Sequence, residues 1–125
     1  MKAATDFGSN NPSDPEDGLE VSLIVHGLFE RFLFHEGRQI KLGRFEPDRR
    51  QPDELDLTPY GAREKGVSRF HARIALMNNQ LFITDLQSAN GTYIRGIKVA
   101  PYLPAALSKG DEVHLGRLPI QVMFS

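Results

Sequence analysis

The sequence predicts an all-β domain, a sandwich built from many short strands. Three observations predict it. Apolar residues recur with period two, and no window carries the 3.6-residue period of a long helix. Turn signals interrupt the chain at close intervals: Glu36-Gly37, Asn78-Asn79, Asn90-Gly91, Arg95-Gly96 and Lys109-Gly110-Asp111. At 125 residues, 40% of them apolar, there is room for one domain around one core. Several sandwich topologies share this pattern, and periodicity alone does not choose among them.

In chain order, residues 1–18 read as a disordered tail. Positions 8–18 are almost free of apolar side chains and cannot offset their ordering entropy. Residues 19–125 form the domain. Leu19, Val21, Leu23 and Val25 alternate with Glu20, Ser22, Ile24 and His26, a half-buried strand. Further strands are expected over 31–34, 39–45, 55–57, 72–77, 92–94 and 98–99. Leu81 with Ile83, Val113 with Leu115, and Ile120 with Val122 and Phe124 show the same alternation. The longest irregular stretch is 46–67. It holds Pro47, Pro52 and Pro59, many charges, and only Leu55 and Leu57 as anchors; a loop of that length in a small domain is usually functional or poorly ordered.

Charge narrows the function classes. Fifteen basic and sixteen acidic residues give a net charge of -1. That offers no global attraction to nucleic acid or to an anionic membrane, and neither is expected as a partner. The tail carries four acids and one lysine, so 19–125 has a formal charge of only +2. No stretch approaches a membrane span, and the first residues lack the apolar run of a secretory signal. There is no cysteine, which excludes disulfides, thiolate catalysis and cysteine-based zinc sites. A cytoplasmic setting is expected.

Three islands carry the chemistry. Gly43-Arg44 ends an alternating strand; a lone pair of this kind is ordinarily a surface arginine beside a turn glycine, yet a guanidinium there also presents a planar fork to a phosphate. Ser68 stands between loop and strand. Turn serines commonly bond nearby backbone, and the alternative is a donor to a phosphate oxygen. Arg69 is exposed if Phe70 points inward. His71, among Phe70, Ala72 and Ile74, reads as a buried structural imidazole pinning neighbouring loops. Asn90-Gly91, between two strand candidates, has the composition of a tight turn, with the amide displayed at its tip.

Catalysis and metal binding fare worse. Ser68, His71 and Asp85 supply the residue types of a hydrolytic triad, but strand alternation should send Ser68 and His71 to opposite faces, and no Gly-x-Ser-x-Gly elbow is present. His26, His35, His71 and His114 are scattered without ligand spacing. No glycine-rich loop leads into a helix, so no nucleotide site, cofactor or small-molecule substrate is expected.

Taken in order, the islands resemble the forkhead-associated (FHA) domain. The matching residues are Leu42-Gly43-Arg44, Asp56-Leu57, Val67-Ser68-Arg69-Phe70-His71-Ala72 and the segment from Asp85 to Thr92. Lys98-Val99 and the run from Leu107 to Gly116 resemble that family's later strands. The resemblance covers 19–125. It implies an eleven-stranded sandwich, without catalytic activity, whose loops at one end bind phosphothreonine in an extended peptide. Residue by residue, it implies that Arg44, Ser68 and Arg69 hold the phosphate and that Asn90 bonds the peptide main chain. Gly43, His71, Gly91 and Thr92 would shape the site. Tyr60, Arg63 and Lys65, in the long loop, would read residues after the phosphothreonine. The implied partner is a phosphothreonine-bearing protein in a Ser/Thr kinase pathway. Two departures stand out: Ala89 occupies a place where some relatives carry a hydroxyl residue, and the 46–67 connection is longer than usual. The alternative reading is a scaffold of the same fold that recognises partners independently of phosphorylation. A phosphorylated Thr5 docking into such a site is a further possibility the tail raises.

Overall fold

The computed structural model describes residues 18–46 and 51–125. The expectations placed on 1–17, including the disordered tail and Thr5, lie outside them. Among the described residues, eleven strands form two sheets. In chain order they are β1 (Leu19–Val25), β2 (Leu28–Phe34), β3 (Gln39–Gly43), β4 (Glu54–Asp56), β5 (Phe70–Met77), β6 (Gln80–Asp85), β7 (Thr92–Ile94), β8 (Ile97–Lys98), β9 (Ala105–Ala106), β10 (Glu112–Leu115) and β11 (Leu118–Phe124). One sheet has the order β9-β6-β5-β3-β4 and the other β2-β1-β11-β10-β7-β8. All pairings are antiparallel except β3 with β4.

Alternation places the core. Val21, Leu23 and Val25 of β1 and Leu118, Ile120 and Val122 of β11 are buried from one sheet. Ile40 and Leu42 of β3, Ile74 and Leu76 of β5, and Leu81 and Ile83 of β6 meet them from the other. Three hairpins turn through residue pairs that both have positive φ: His26-Gly27, Asn78-Asn79 and Arg95-Gly96. That geometry matches the strands' twist in two-residue loops. Among the described residues, no helix is long and apolar enough to cross a membrane.

Several details differ from the sequence reading. Strand β2 begins three residues early, at Leu28; it is a sheet edge, and Leu28, Phe29 and Leu33 are exposed. Strand β9 has only two alanines and no readable alternation. The Asn90-Gly91 pair does not close a hairpin: β6 and β7 lie in different sheets, so this segment crosses between them. The described part of the 46–67 stretch is better anchored than its composition predicts. It contains β4 and a short 3-10 turn, Thr58–Tyr60, and it buries Tyr60, Ala62 and Val67 as well as Leu55 and Leu57.

Candidate functional site

The site begins where β3 ends. The β3–β5 register shifts between Leu42 and Gly43, so Leu42 faces Ala72 but Gly43 faces Phe70. Such a bulge re-aims side chains. Here it turns Phe70 outward, to 56% exposure, while His71 and Ala72 are both buried. The inward Phe70 on which an exposed Arg69 was conditional is not found, and Arg69 is exposed all the same. Gly43 is required by space: a Cβ would lie 1.8 Å from the Arg69 carbonyl oxygen. Its absence lets the Arg44 N–H donate to that oxygen at 3.0 Å. The half-buried Arg44 side chain donates from Nε to the Val67 carbonyl at 2.6 Å, leaving its terminal nitrogens for a ligand. Asp56 ties down the exit from β3: its Oδ1 accepts from the Phe45 N–H at 3.0 Å and from the Thr58 hydroxyl at 2.7 Å.

Beneath these groups lies a closed polar network. His71 is wholly buried. Its Nδ1 accepts the Ser68 backbone N–H at 2.9 Å, and its Nε2 lies 2.9 Å from the Gly91 carbonyl. An N–H on one side and a C=O on the other require the neutral tautomer with its proton on Nε2. Burial lowers the His71 pKa below the ordinary value, against the opposing pull of the Gly91 carbonyl and Asp85. Asp85 Oδ1 accepts the hydroxyls of Ser88 and Thr92, each at 2.6 Å. Burial alone would raise its pKa, but the hydrogen bonds from Ser88 and Thr92, with His71 nearby, hold it below the usual carboxylate value. Ser88 Oγ in turn accepts the Gly91 N–H at 2.9 Å.

The network presents two groups upward. Ser68 Oγ accepts the Ala89 N–H at 3.0 Å, which leaves the hydroxyl hydrogen for an acceptor. Asn90 donates one amide hydrogen to the Gly66 carbonyl at 3.0 Å, leaving its oxygen and second hydrogen at the surface. A Cβ on Gly66, whose φ is +81°, would lie 2.6 Å from Asn90 Nδ2. The β10–β11 turn braces this loop from the side. Gly116 donates its N–H to the Gly91 carbonyl at 2.9 Å, and Arg117 donates its own to the Lys65 carbonyl at 2.8 Å.

Arg44, Ser68, Arg69 and Asn90 thus meet at one end of the sandwich, with Gly43, His71, Gly91 and Thr92 beneath or between them. Arg69 is exposed, and among the described residues its guanidinium has no hydrogen-bond or ion-pair partner. Arg63 is exposed and Lys65 half-buried in the same loop system. Tyr60 is elsewhere: its ring is buried, packs edge-on against His26, and its hydroxyl donates to Glu30 on β2. That hydrogen bond pushes its pKa up to about 12. A part for Tyr60 in reading a ligand therefore gives way to a part in the core.

The residue types of a triad are close together but not arranged as one. His71 receives the backbone N–H of Ser68, not its hydroxyl, and Asp85 lies 4.0 Å from the ring nitrogen that serves Gly91. The expected divergence of Ser68 and His71 is replaced by a ring that folds back beneath Ser68, because Ser68 precedes the strand. Sequence reading missed the bracing roles of Gly66, Ser88, Gly116 and Arg117. Only Ser88 had a usable signal: Asp-x-x-Ser, the spacing of a side-chain-capped turn.

A family model for the FHA domain matches residues 37–116, and the chain belongs to that family. FraH of Nostoc sp. is 36% identical over 72 residues, which are 58% of this chain and 25% of FraH. The glycogen accumulation regulator GarA of Mycobacterium tuberculosis is 43% identical over 51 residues, 41% of this chain and 30% of GarA. The matches thus span a third or less of these curated relatives. The FHA domain of an Arabidopsis thaliana hypothetical protein superposes with a TM-score of 0.68 at 25% identity, covering 94% of both chains. A domain solved in a study of phosphothreonine-dependent FHA interactions gives 0.60 at 28% identity, covering 85% of this chain and 97% of that one. FHA domains are binding modules that typically recognise phosphothreonine peptides of partner proteins.

Proposed function

We propose that this chain binds phosphothreonine peptides and so mediates phosphorylation-dependent protein–protein contacts downstream of a Ser/Thr kinase, without catalysing a reaction. The observation that carries this is the convergence of Arg44, Ser68 and Arg69, with an unpartnered guanidinium on Arg69 among the described residues, beside a fixed Asn90 amide. A phosphothreonine brings a charge of about -1.5 to -2 and three acceptor oxygens. Two arginines and a hydroxyl donor answer those oxygens, each charge-assisted bond contributing about 1.5–3 kcal/mol. Asn90, with a donor and an acceptor left over, suits the peptide main chain. Arg63, Lys65 and Arg117 add positive charge on the Asn90 side and favour acidic residues after the phosphothreonine. The domain that does this is 19–125, with 1–18 as an appended tail.

Calorimetry with a library of matched phosphorylated and unphosphorylated threonine peptides tests the reading. Binding is expected only for phosphorylated members, and equal binding of both forms overturns it. A second reading, contact independent of phosphate, is favoured by the exposed Leu28, Phe29 and Leu33 on the edge strand β2. Partner capture that survives phosphatase treatment and is lost in Phe29→Ser selects it.

A further inference from the structure

We propose that the cleft beside Arg44 and Arg69 is a second subsite, taking an apolar side chain of the phosphorylated peptide. This rests on the phosphothreonine reading above and adds a specificity to it.

The cleft has a volume of about 330 Å³, and its lining includes Arg44, Phe45, Gln51, Glu54, Arg69 and Phe70. That is near the low end of the range for ligand pockets and suits one or two side chains. Both phosphate-site arginines line it, whereas Ser68 and Asn90 do not, so it continues the site on the side away from Asn90. A peptide whose phosphate sits on those arginines has its neighbouring residues at the cleft mouth. At roughly 3.3 Å per extended residue, a peptide anchored on those arginines brings a residue near the phosphothreonine to the cleft.

The floor decides the chemistry. Phe45 and Phe70 pack with ring centroids 5.5 Å apart at 58°. Phe45 is held by its N–H bond to Asp56 and is almost fully buried, but Phe70 keeps more than half its surface in water. The bulge at Leu42/Gly43 is what turns Phe70 out, so this exposure comes from a local device at the site and not from a frayed strand end. In the wall, Glu54 accepts the Gln51 N–H at 3.1 Å. Arg44 and Arg69 on the one hand, and Glu46 and Glu54 on the other, bring charge of both signs to the lining. The unmet demand is apolar surface, and an aliphatic or aromatic side chain meets it. An exposed aromatic in a pocket contiguous with a charged anchor has the makings of a binding hot spot.

The test uses the full chain and a phosphothreonine peptide with alanine at its other positions. Leucine is then moved through the three positions on each side, and each peptide is titrated against wild type and Phe70→Ala. At one position, leucine should tighten wild-type binding about tenfold over alanine, as expected for one buried side chain. In Phe70→Ala that ratio should fall to about one. Proton NMR gives a measurement free of substitutions: the Phe70 ring resonances should shift with the leucine peptide beyond their shift with the alanine peptide. A flat leucine scan in wild type, a ratio that survives Phe70→Ala, or unmoved Phe70 resonances each overturns the subsite while leaving the phosphothreonine reading intact. Failure of wild type to bind any phosphorylated peptide defeats the phosphothreonine reading itself and the subsite with it.

Discussion

The upper and lower halves of the site solve different problems with different chemistry. Above, Arg44, Arg69, Ser68 and Asn90 are half-buried or exposed and keep donors in hand. Below, His71, Asp85 and Thr92 are buried and bond to one another's neighbours until little is left over. The difference teaches where each kind of group is affordable. Unpaired positive charge is cheap at the surface and costly in the core, so the groups proposed for recognition can stay in water. Their geometry is set from below by a neutral imidazole and a fully satisfied carboxylate. The comparison predicts that changes below act through stability, while changes above act through binding.

The largest effect is expected where the two halves touch. Gly43→Ala puts a methyl group 1.8 Å from the Arg69 carbonyl oxygen, and backbone must move to admit it. A loss of about 3 kcal/mol in urea unfolding is expected, in the range of severe packing defects. Phosphopeptide binding should weaken too, because the displaced segment carries Ser68 and Arg69. Unchanged stability would mean that the β3–β5 approach is looser than it stands here.

Arg44→Ala should invert that ratio. Binding should fall at least about a hundredfold with the loss of a guanidinium from the phosphate. Stability should fall by only about 1 kcal/mol, for the bond to the Val67 carbonyl. An Arg44→Ala chain that unfolds as readily as Gly43→Ala would erase the distinction between the two halves.

His71 tests the lower half through pH. Its folded pKa is lowered, so the unfolded chain takes up a proton first as pH falls below about 6.5, the ordinary histidine value. Stability from this group is therefore full above that pH and is lost as pH falls toward the folded pKa. Asp85, also lowered, contributes above the ordinary carboxylate range and is lost at a lower pH still. The unfolding free energy is expected to decline from pH 7 to pH 5, and the decline should flatten in His71→Gln. His71→Ala at pH 7 should cost about 2 kcal/mol, since it strands the Ser68 N–H and leaves a cavity. A pH-independent stability between 7 and 5 would refute the buried neutral imidazole.

The upper half was easier to read from sequence than the lower, and the reasons are physical. Strands such as Leu19–Val25 alternate cleanly because one face meets the core, so period two located them. Charged and polar residues at strand ends stand out against that pattern, which singles out Arg44, Ser68, Arg69 and Asn90 as candidates. The orientation of Phe70 was hidden because a single-residue bulge reverses facing without any change in composition. Tyr60 was misplaced because a charged, proline-containing loop gives no sign of which ring turns inward to Glu30. Gly66, Gly116 and Arg117 act through carbonyls and N–H groups, which no side-chain pattern reports.

The smallest effect is a gain, and it measures how close residue 89 stands to the ligand. Ala89 is exposed, and its N–H donates to the Ser68 hydroxyl, so the backbone at 89 touches one of the proposed phosphate donors although the side chain brings none. Ala89→Thr adds a hydroxyl at that point. One more charge-assisted bond, less the cost of fixing a rotamer, is worth about 1 kcal/mol, or roughly fivefold in Kd. Titration of one phosphopeptide against both forms should show that gain, with no gain for the unphosphorylated peptide. An unchanged Kd would place the phosphate wholly on the Arg44 side of Ser68, and recognition would then rest on two guanidinium groups and one hydroxyl. In that case the upper half would owe even more to the position of Gly43, since Gly43 holds Arg44 and the Arg69 backbone within one hydrogen bond of each other.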